Sequence, residues 1–354
     1  MRIGLLASNP DHPVLAATAA LLTARGHLVE DLDPTTGPGE PSERIGPGEL
    51  ADVYLLKAHT PRALALARHL EERGAPVVNS AAATELCQDR TAMADLAVRA
   101  GLPFAATRTV ADLADLVAQP DHPAPGFPFV VKSRHSRRHD LVARVDDAAR
   151  LRVLAGEWPG ESVVVQPYLA STGWDQKLWV VAGQVFCARR RSELTDPGVS
   201  ELHHPGGAFG PAELPADRAR LALRVGEVFG LDVYGVDLLD GPAEPVVVDV
   251  NAFPGIRGQA GAPEALAALA LRVGGAGPRS VPAQRPAGTG PGAVDPRASD
   301  TRAESGAESG ADSRPDSRPD SRGGLRAGPW ADSSSPVGRR TAGPADAGPG
   351  GAGR

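Results

Sequence analysis

Two strand segments near residue 240 carry the residue types best suited to binding a metal ion. Asp237 lies inside the apolar run 234–239, and Asp249 lies inside the apolar run 246–250. A buried carboxylate without a partner is costly, so both side chains need a counter-charge or a cleft. Because side chains alternate along a strand, Asn251 shares a face with Asp249. Two carboxylates and an amide oxygen on one face suit Mg²⁺. The alternative, polar residues facing water at strand ends, is disfavoured by their apolar neighbours.

Lysine is rare in this chain, which uses arginine for nearly all of its positive charge. Lys57, Lys132 and Lys177 are the only lysines among 37 basic residues. Unless chance explains them, each of these positions needs the compact charge of an ammonium rather than the planar guanidinium of arginine. Lys132 ends the apolar run 127–131, where it is either an ordinary strand-end lysine or the partner of a phosphate oxygen.

Composition and charge exclude several classes of protein. The chain has 354 residues, 42% of them hydrophobic, and a net charge of -6, which argues against a nucleic-acid-binding protein. Cys87 and Cys187 have no metal-ligand spacing and are predicted to be small buried hydrophobic residues. No apolar stretch reaches the roughly 18 residues of a membrane helix, and no signal peptide is evident. We therefore expect a cytoplasmic protein that does not bind membranes.

Alternating strand and helix patterns in residues 1–85 predict a small parallel sheet with helices on its faces. Strands are predicted at 2–7, 53–56 and 76–78, and helices at 13–25 and 61–73. A Pro/Gly-rich loop is predicted at 34–48. The two helical patterns are followed by Gly26 and Gly74, which are typical helix ends.

The pattern changes after residue 85 to many antiparallel strands with helices, which indicates an α+β arrangement. Strands are predicted at 129–133, 141–145, 163–169, 177–188 (a hairpin), 233–239 and 245–250, and helices at 89–100, 146–155, 215–229 and 263–273. Residues 275–354 are rich in Gly, Pro, Ala, Ser, Arg and Asp. Such a segment cannot bury enough apolar surface to become ordered, so a disordered tail is predicted.

These motifs, in their order along the chain, resemble the ATP-grasp superfamily. The resemblance rests on Lys132, Gln166-Pro-Tyr-Leu169, Asp175-x-Lys177 with its Val-Val-x-Gly hairpin, Gly-Val-Asp237 and Asp249-Val-Asn251-x-Phe-Pro-Gly. It implies an α+β / α/β ATP-grasp fold. Residues 1–85 would be a Rossmann-like pre-ATP-grasp domain, residues 86–274 the ATP-grasp domain with the nucleotide between its two subdomains, and residues 275–354 the disordered tail.

The resemblance also assigns roles to individual residues. Catalytic roles are expected for Lys132, Arg191 and Asp249, with Lys132 contacting the α- and β-phosphates. ATP would be held by Arg90, Lys132, Gln166, Tyr168, Leu169 and Asp175. Two Mg²⁺ ions, with Mn²⁺ also compatible, would bind Asp237, Asp249 and Asn251. Substrate-binding roles are expected for Lys57, Arg134, His139, Lys177 and Arg191. This set predicts a cationic pocket for an anionic small molecule or a carboxylate.

Two branches of the superfamily share these motifs. RimK-like ligases phosphorylate a carboxylate and let an amine attack the acyl phosphate, and the Lys177–Gly183 hairpin suits them. The inositol trisphosphate 5/6-kinase branch phosphorylates a hydroxyl. It is favoured by Asp249 where ligases carry Glu, by Asp89-Arg90 in place of Asp-Lys, and by the basic loop 134–139 in place of a Gly-rich loop. We place the ligase first, the kinase second and a non-catalytic ATP-binding protein third. The oligomeric state is left open.

Overall fold

The computed structural model describes residues 1–35, 49–118, 126–169, 174–192, 194, 210–211, 214–240 and 244–276. Nearly all of the predicted loop at 34–48 and of the predicted tail at 275–354 lies outside these described residues. The proposed division at residues 85 and 274 also stays a prediction.

The first sheet is parallel and has the order β2-β1-β3-β4. Its strands are β1 Arg2–Leu6, β2 Leu28–Leu32, β3 Val53–Leu56 and β4 Val77–Val78, and its helices are α1 Pro13–Ala24 and α2 Pro61–Glu72. All four β3 residues are buried, as expected for a central strand covered on both faces. The predicted strands and helices are all present, but β2 was not predicted. Its sequence, LVEDL, has only exposed and half-buried residues, so it lacks a buried-strand pattern.

The second sheet is antiparallel and has the order β5-β8-β6-β7. Its strands are β5 Arg108–Val110, β6 Phe129–Ser133, β7 Val142–Val145 and β8 Val163–Pro167. Helices α5 Leu113–Ala118 and α6 Ala148–Glu157 pack with it in one hydrophobic cluster around Phe129 and Val165. Because all five residues of β6 are buried, any charged side chain on that strand must find a partner inside the protein.

The third sheet is also antiparallel and has the order β11-β10-β9-β12-β13. Its strands are β9 Trp174–Val181, β10 Gln184–Arg191, β11 Gly210–Pro211, β12 Val233–Asp240 and β13 Pro245–Ala252. The remaining helices are α3 Ala81–Leu86, α4 Arg90–Arg99, α7 Ala216–Phe229 and α8 Ala262–Gly275. The β9–β10 hairpin turns at Ala182-Gly183 as predicted, and both residues have positive φ.

Two hydrophobic clusters cover opposite faces of the third sheet. In the first, Trp179 and Phe253 pack with residues of β1, β3, α1 and α8. In the second, Leu178 and Val236 pack with α4 and α7. Cys87 is buried as predicted, whereas Cys187 is half-buried. The described part of the chain contains no helix with the length and apolar character needed to cross a membrane.

Candidate active site

A cleft lies between the second and third sheets and collects seven of the predicted site residues. Its empty volume, including its open mouth, is about 940 Å³. Strands β6 and β8 supply Lys132 and Gln166, and β12 and β13 supply Asp237 and Asp249. The predicted residues in the lining are Lys132, Gln166, Tyr168, Leu169, Asp175, Asp237 and Asp249. The lining combines apolar side chains with a few charged ones, as is common in small-molecule sites.

The predicted metal ligands lie on one face of the third sheet. Asp237 of β12 pairs directly with Asp249 of β13, and Gly235 pairs with Asn251. Because directly paired residues in a sheet share a face, the two carboxylates are neighbours, and Asn251 follows on the same face. The intervening Val250 is buried on the other face. A register shift between Asp237 and Leu238 then leaves Val248 unpaired, and the pairing resumes at Leu238 and Val247.

Each of the two carboxylates already has a cationic partner. Lys177 Nζ lies 2.7 Å from Asp237 Oδ1, across the β9–β12 pair. Arg90 Nη2 lies 3.2 Å from Asp249 Oδ2. The side chains of Asp237 and Asp249 are 18% and 13% exposed, so these ion pairs are largely shielded from water. Pairing explains how two acidic residues are tolerated inside apolar strands.

Lys132 is a buried cation facing the acidic strands. Its Nζ donates to the Val248 carbonyl at 2.8 Å, and the residue is 6% exposed. Burial lowers the pKa of the Lys132 ammonium, although Asp249 and Asp237 partly offset that effect. Burial also raises the pKa of the Asp249 carboxyl, but Arg90, Lys132 and Lys177 outweigh it and hold the pKa below its ordinary value. The cleft therefore contains a charged, tightly coupled network rather than neutral groups.

Arg90 joins three separate parts of the chain at the edge of this network. It is the first residue of α4, whose N-cap Asp89 accepts hydrogen bonds from two backbone amides. Its Nη1 donates to the Ser133 carbonyl at 2.8 Å and to Asp140 at 2.7 Å, while Nη2 reaches Asp249. The planar guanidinium can make these contacts together, which a lysine at this position could not.

The donor set fits a divalent cation. Asp237, Asp249 and Asn251 offer two carboxylates and an amide oxygen, the hard oxygen ligands that Mg²⁺ prefers. Within the described ranges, His, Cys, Asp and Glu side chains form no group of three or more that could hold a metal ion. A site here therefore depends on Asn251, and on a ligand such as a phosphate to supply further oxygens.

The strand predicted to face adenine has its polar side chains engaged within the protein. Gln166 is 4% exposed, and its Nε2 donates to Thr107 Oγ1 at 2.9 Å. The Arg144 guanidinium lies 4.2 Å from the centroid of the Tyr168 ring. Both side chains are held in place by these contacts. That a nucleotide base meets mainly backbone groups at this strand stays a prediction.

Four residues predicted to bind substrate have described side chains, and all of them lie outside the cleft lining: Lys57, Arg134, His139 and Lys177. Arg134 makes hydrogen bonds from Nε and Nη2 to the carboxylate of Asp89, the shortest of them 2.7 Å. His139 is exposed at a turn with φ 59°. The side chain of Arg191 falls outside the described part of the structure. Substrate binding by all five residues stays a prediction.

Lys57 lies in a second cationic group, which sequence reasoning only partly found. It follows β3, and its Nζ lies 5.8 Å from the centroid of the Phe253 ring. His12, His59 and Arg257 surround it and were not predicted. Burial and then Lys57 lower the pKa of His12 and of His59 to about 4. Arg257 lowers the pKa of His12 further, and no carboxylate is among the groups that shift either imidazole.

The low pKa of His12 predicts a loss of stability in mild acid. Between pH 6.5 and 4 the unfolded chain binds a proton that the folded chain does not, so the free energy of unfolding falls as the pH falls. His12→Phe removes the titrating group and breaks no hydrogen bond. We therefore expect the free energy of unfolding of this variant to fall by about 1–2 kcal/mol less than that of the unaltered chain between pH 6.5 and 4.5. Urea unfolding at pH 6.5, 5.5 and 4.5 measures the slope. Equal slopes for the variant and the unaltered chain would contradict the expectation.

A family model described as RimK-like ATP-grasp domain matches residues 87–264. Similar proteins include a probable alpha-L-glutamate ligase of Parasynechococcus marenigrum, 28% identical over 280 residues, which are 73% of this chain and 58% of that protein. A protein of the same name from Syntrophotalea carbinolica is 30% identical over 280 residues, 73% of this chain and 89% of that protein. The chain thus spans less than two thirds of the Parasynechococcus relative and most of the Syntrophotalea relative.

Solved structures share the fold. The RimK domain protein ATP-grasp from Sphaerobacter thermophilus has a TM-score of 0.61 at 23% identity, and the match covers 77% of this chain and 100% of that chain. The ATP-grasp ligase PsnB with minimal precursor, Mg and ADP has a TM-score of 0.55 at 18% identity, covering 77% and 98%. At these identities the likeness concerns the fold alone, and it confirms the predicted ATP-grasp architecture.

Proposed function

Because the chain belongs to the RimK-like ATP-grasp family, we propose that it is an ATP-dependent ligase joining a carboxylate to an amine. In the first step, a carboxylate oxygen of the substrate attacks the γ-phosphorus, and ADP leaves. In the second step, the amine attacks the acyl phosphate carbon, the amide bond forms, and inorganic phosphate and a proton are released. Relatives with the name alpha-L-glutamate ligase support L-glutamate as one of the two substrates.

One observation carries the proposal: the cleft holds Asp237 and Asp249 on one strand pair and Lys132 on the facing strand. A nucleotide triphosphate needs cations along its phosphates and oxygen ligands for the metal that accompanies it. The cleft supplies both kinds of group from rigid strands, which hold a site more firmly than loops do. Residues Gln166 to Leu169, at and after the end of β8, would take the base at the other end of the cleft.

The proposed roles follow from charge and position. Lys132 would donate to the α- and β-phosphates in place of its present acceptor, the Val248 carbonyl. Arg90 and Lys177 would exchange part of their pairing with Asp249 and Asp237 for contacts to phosphate or substrate oxygens. Phosphoryl transfer has a loose transition state, so catalysis depends on such positioning and on neutralised charge. No strong general base is required among these groups.

The residues also fit the metal that the family uses. Asp237, Asp249 and Asn251 would hold Mg²⁺, which when bound neutralises charge on the β- and γ-phosphate oxygens. We propose two ions, as the resemblance to the ATP-grasp superfamily implies, with the phosphates supplying further oxygen ligands. Mn²⁺, which takes similar oxygen ligands, would be an alternative.

A second candidate reaction is phosphorylation of a hydroxyl, favoured by one observation. The metal strand carries Asp249, where ligases of this superfamily usually carry Glu, and the loop after Lys132 is basic rather than Gly-rich. The names of the matched relatives favour the ligase. The product of the phosphoryl transfer separates the two reactions, since an acyl phosphate reacts onward and a phosphate ester does not.

The test is ADP release by the full chain with Mg-ATP and L-glutamate, with and without a pool of amines and a pool of carboxylic acids. For the ligase we expect ADP and inorganic phosphate in equal amounts, and only when acid and amine are both present. Hydroxylamine should trap the activated acid as a hydroxamate, and the identity of that hydroxamate tells whether L-glutamate provides the acid or the amine.

Three results are distinguishable in this assay. Equal ADP and phosphate with a trapped hydroxamate supports the ligase. ADP without phosphate, together with a stable phosphorylated product, replaces the ligase with the kinase. ATP-dependent thermal stabilisation without any ADP release would overturn both reactions and leave an ATP-binding protein.

A further inference from the structure

The strand order of the first sheet predicts a crevice at the carboxyl ends of β1 and β3. In the order β2-β1-β3-β4, β1 leads through α1 to one side of the sheet and β3 leads through α2 to the other. The two connections therefore diverge, which leaves an opening between the ends of these central strands. In open parallel sheets this topological switch point is where ligands bind.

Three chain segments supply side chains to the crevice. His12 comes from the β1–α1 connection, and Lys57 and His59 come from the β3–α2 connection. Phe253 and Arg257, from the segment after β13, approach from the third sheet. We call these residues, His12, Lys57, His59, Phe253 and Arg257, the switch-point cluster.

The switch-point cluster is cationic and has no internal counter-charge. Lys57 is half-buried and rests over the Phe253 ring, and no described carboxylate forms an ion pair with it. Burial lowers the pKa of the Lys57 ammonium, and Arg257 lowers it further. Keeping an unpaired, partly desolvated ammonium beside an arginine costs stability. A bound anion would offset that cost.

The imidazole of His12 is a second, independent observation that points to a ligand. The residue is only 8% exposed, and both of its ring nitrogens are buried without a hydrogen-bond partner among the described residues. Its Nε2 lies 3.6 Å from the place where a Cβ would stand on Gly255, so glycine leaves room beside the ring. Buried polar nitrogens are normally hydrogen-bonded, and an unpaired imidazole N–H beside an ammonium suits an acceptor oxygen.

The chemistry of these groups selects a carboxylate. Beside the Lys57 ammonium lie an imidazole without a partner among the described residues and the Phe253 ring, and the Arg257 side chain is exposed. A carboxylate on an alkyl stem matches both the cations and the apolar Phe253 face. A phosphate could use the same donors, but it has no alkyl stem and would leave the Phe253 face without a partner. Phe253 follows Asn251 by two residues, so the crevice adjoins the acidic face of the cleft.

We propose that the switch-point cluster is a carboxylate-binding site that anchors the acidic substrate beside the nucleotide cleft. Lys57 Nζ and a His12 ring N–H donate to the carboxylate oxygens, and Arg257 closes the site from outside. The inference rests on the proposed function for what the anchored molecule does next, but binding itself does not depend on turnover. Lys57, His12 and Arg257 act as binding residues.

Binding is tested by calorimetry on the full chain, loaded with Mg²⁺ and a non-hydrolysable ATP analogue. The probes are L-glutamate, glutarate, its uncharged diamide glutaramide, and inorganic phosphate. We expect L-glutamate and glutarate to bind, and glutaramide not to. Lys57→Met should raise the Kd of glutarate about tenfold or more, the loss of one charge-assisted hydrogen bond.

Two further variants serve as comparisons for Lys57→Met. Arg257→Met changes an exposed residue and should weaken glutarate binding less than Lys57→Met does. Arg99→Met, at the exposed end of α4, removes an arginine elsewhere and should bind glutarate like the unaltered chain. Lys57→Met should also melt no lower than the unaltered chain without ligands, because it removes an unpaired charge.

The outcomes separate this inference from the proposed function. If none of the acids binds, or if Lys57→Met and Arg257→Met bind glutarate unchanged, the site is wrong even where the ligase assay succeeds. If phosphate binds more tightly than glutarate, the ligand class is wrong. If glutarate binds as expected while the assay releases no ADP, the site stands and the proposed reaction fails.

Discussion

Asp249→Asn should abolish ATP turnover while leaving the protein folded. The substitution keeps the size of the side chain and an oxygen that Arg90 can still bind, but it removes one charge from the acidic face. That charge would be needed to hold a divalent cation against the phosphates, so we expect ADP release to fall roughly a thousandfold. The measurement is steady-state ADP release under the substrate conditions that support turnover.

A matched control tests whether removing any single carboxylate from the protein lowers ADP release. Asp52→Asn removes an exposed carboxylate that accepts a hydrogen bond from the Arg2 backbone amide and lies outside the cleft lining. It should retain activity close to that of the unaltered chain. Raising the Mg²⁺ concentration should partly restore Asp249→Asn if its defect is weak metal binding. Activity within about threefold of the unaltered chain, less than 1 kcal/mol in transition-state free energy, would remove Asp249 from the mechanism.

Lys132→Met should abolish the stabilisation that ATP gives to the protein. Methionine fills nearly the same volume, and it removes an ammonium that is buried at an energetic cost. The ligand-free variant should therefore melt within a few degrees of the unaltered chain. At an ATP concentration about a hundred times Kd, binding stabilises the folded state by about 2.7 kcal/mol, and the variant should lose most of this. Thermal unfolding with and without Mg-ATP gives the result.

The appropriate comparison is Arg137→Met, which removes a cation from the same loop region without touching the cleft. Arg137 pairs with Glu161 at the surface, where both N–H···O distances are under 3 Å. This variant should keep the full ATP-induced shift. An equal ATP-induced shift in Lys132→Met would show that the nucleotide does not approach this strand.

Local patterns were enough to predict the nucleotide cleft because its key residues interrupt apolar strands. Lys132, Asp237 and Asp249 are charged residues within apolar sequence runs. Because burying an unpaired charge is costly, a charged residue in such a run indicates a partner or a ligand. The hairpin and the helices of the second half also follow local signals. Strand β2 was missed because an edge strand with polar, exposed residues carries no such signal.

Contacts between distant segments could not be predicted in the same way. The Arg134 guanidinium engages Asp89, 45 residues earlier, and no local pattern indicates this contact. His12 and Lys57 become neighbours only through the strand order of the first sheet, and Arg257 joins them from a different sheet. Pairings of this kind depend on topology, and single-residue patterns do not encode it.

The triple attachment of Arg90 has a consequence for the order in which ligands bind. Without ligands, Asp249 and Asp237 are already balanced by Arg90, Lys177 and the nearby Lys132. A divalent cation arriving alone would add positive charge to a neutralised site and gain little. A triphosphate arriving first supplies the negative charge that draws these cations toward it and exposes the carboxylates. In the proposed reaction, this balance of charge favours binding of the nucleotide before the metal, or of the two as one complex.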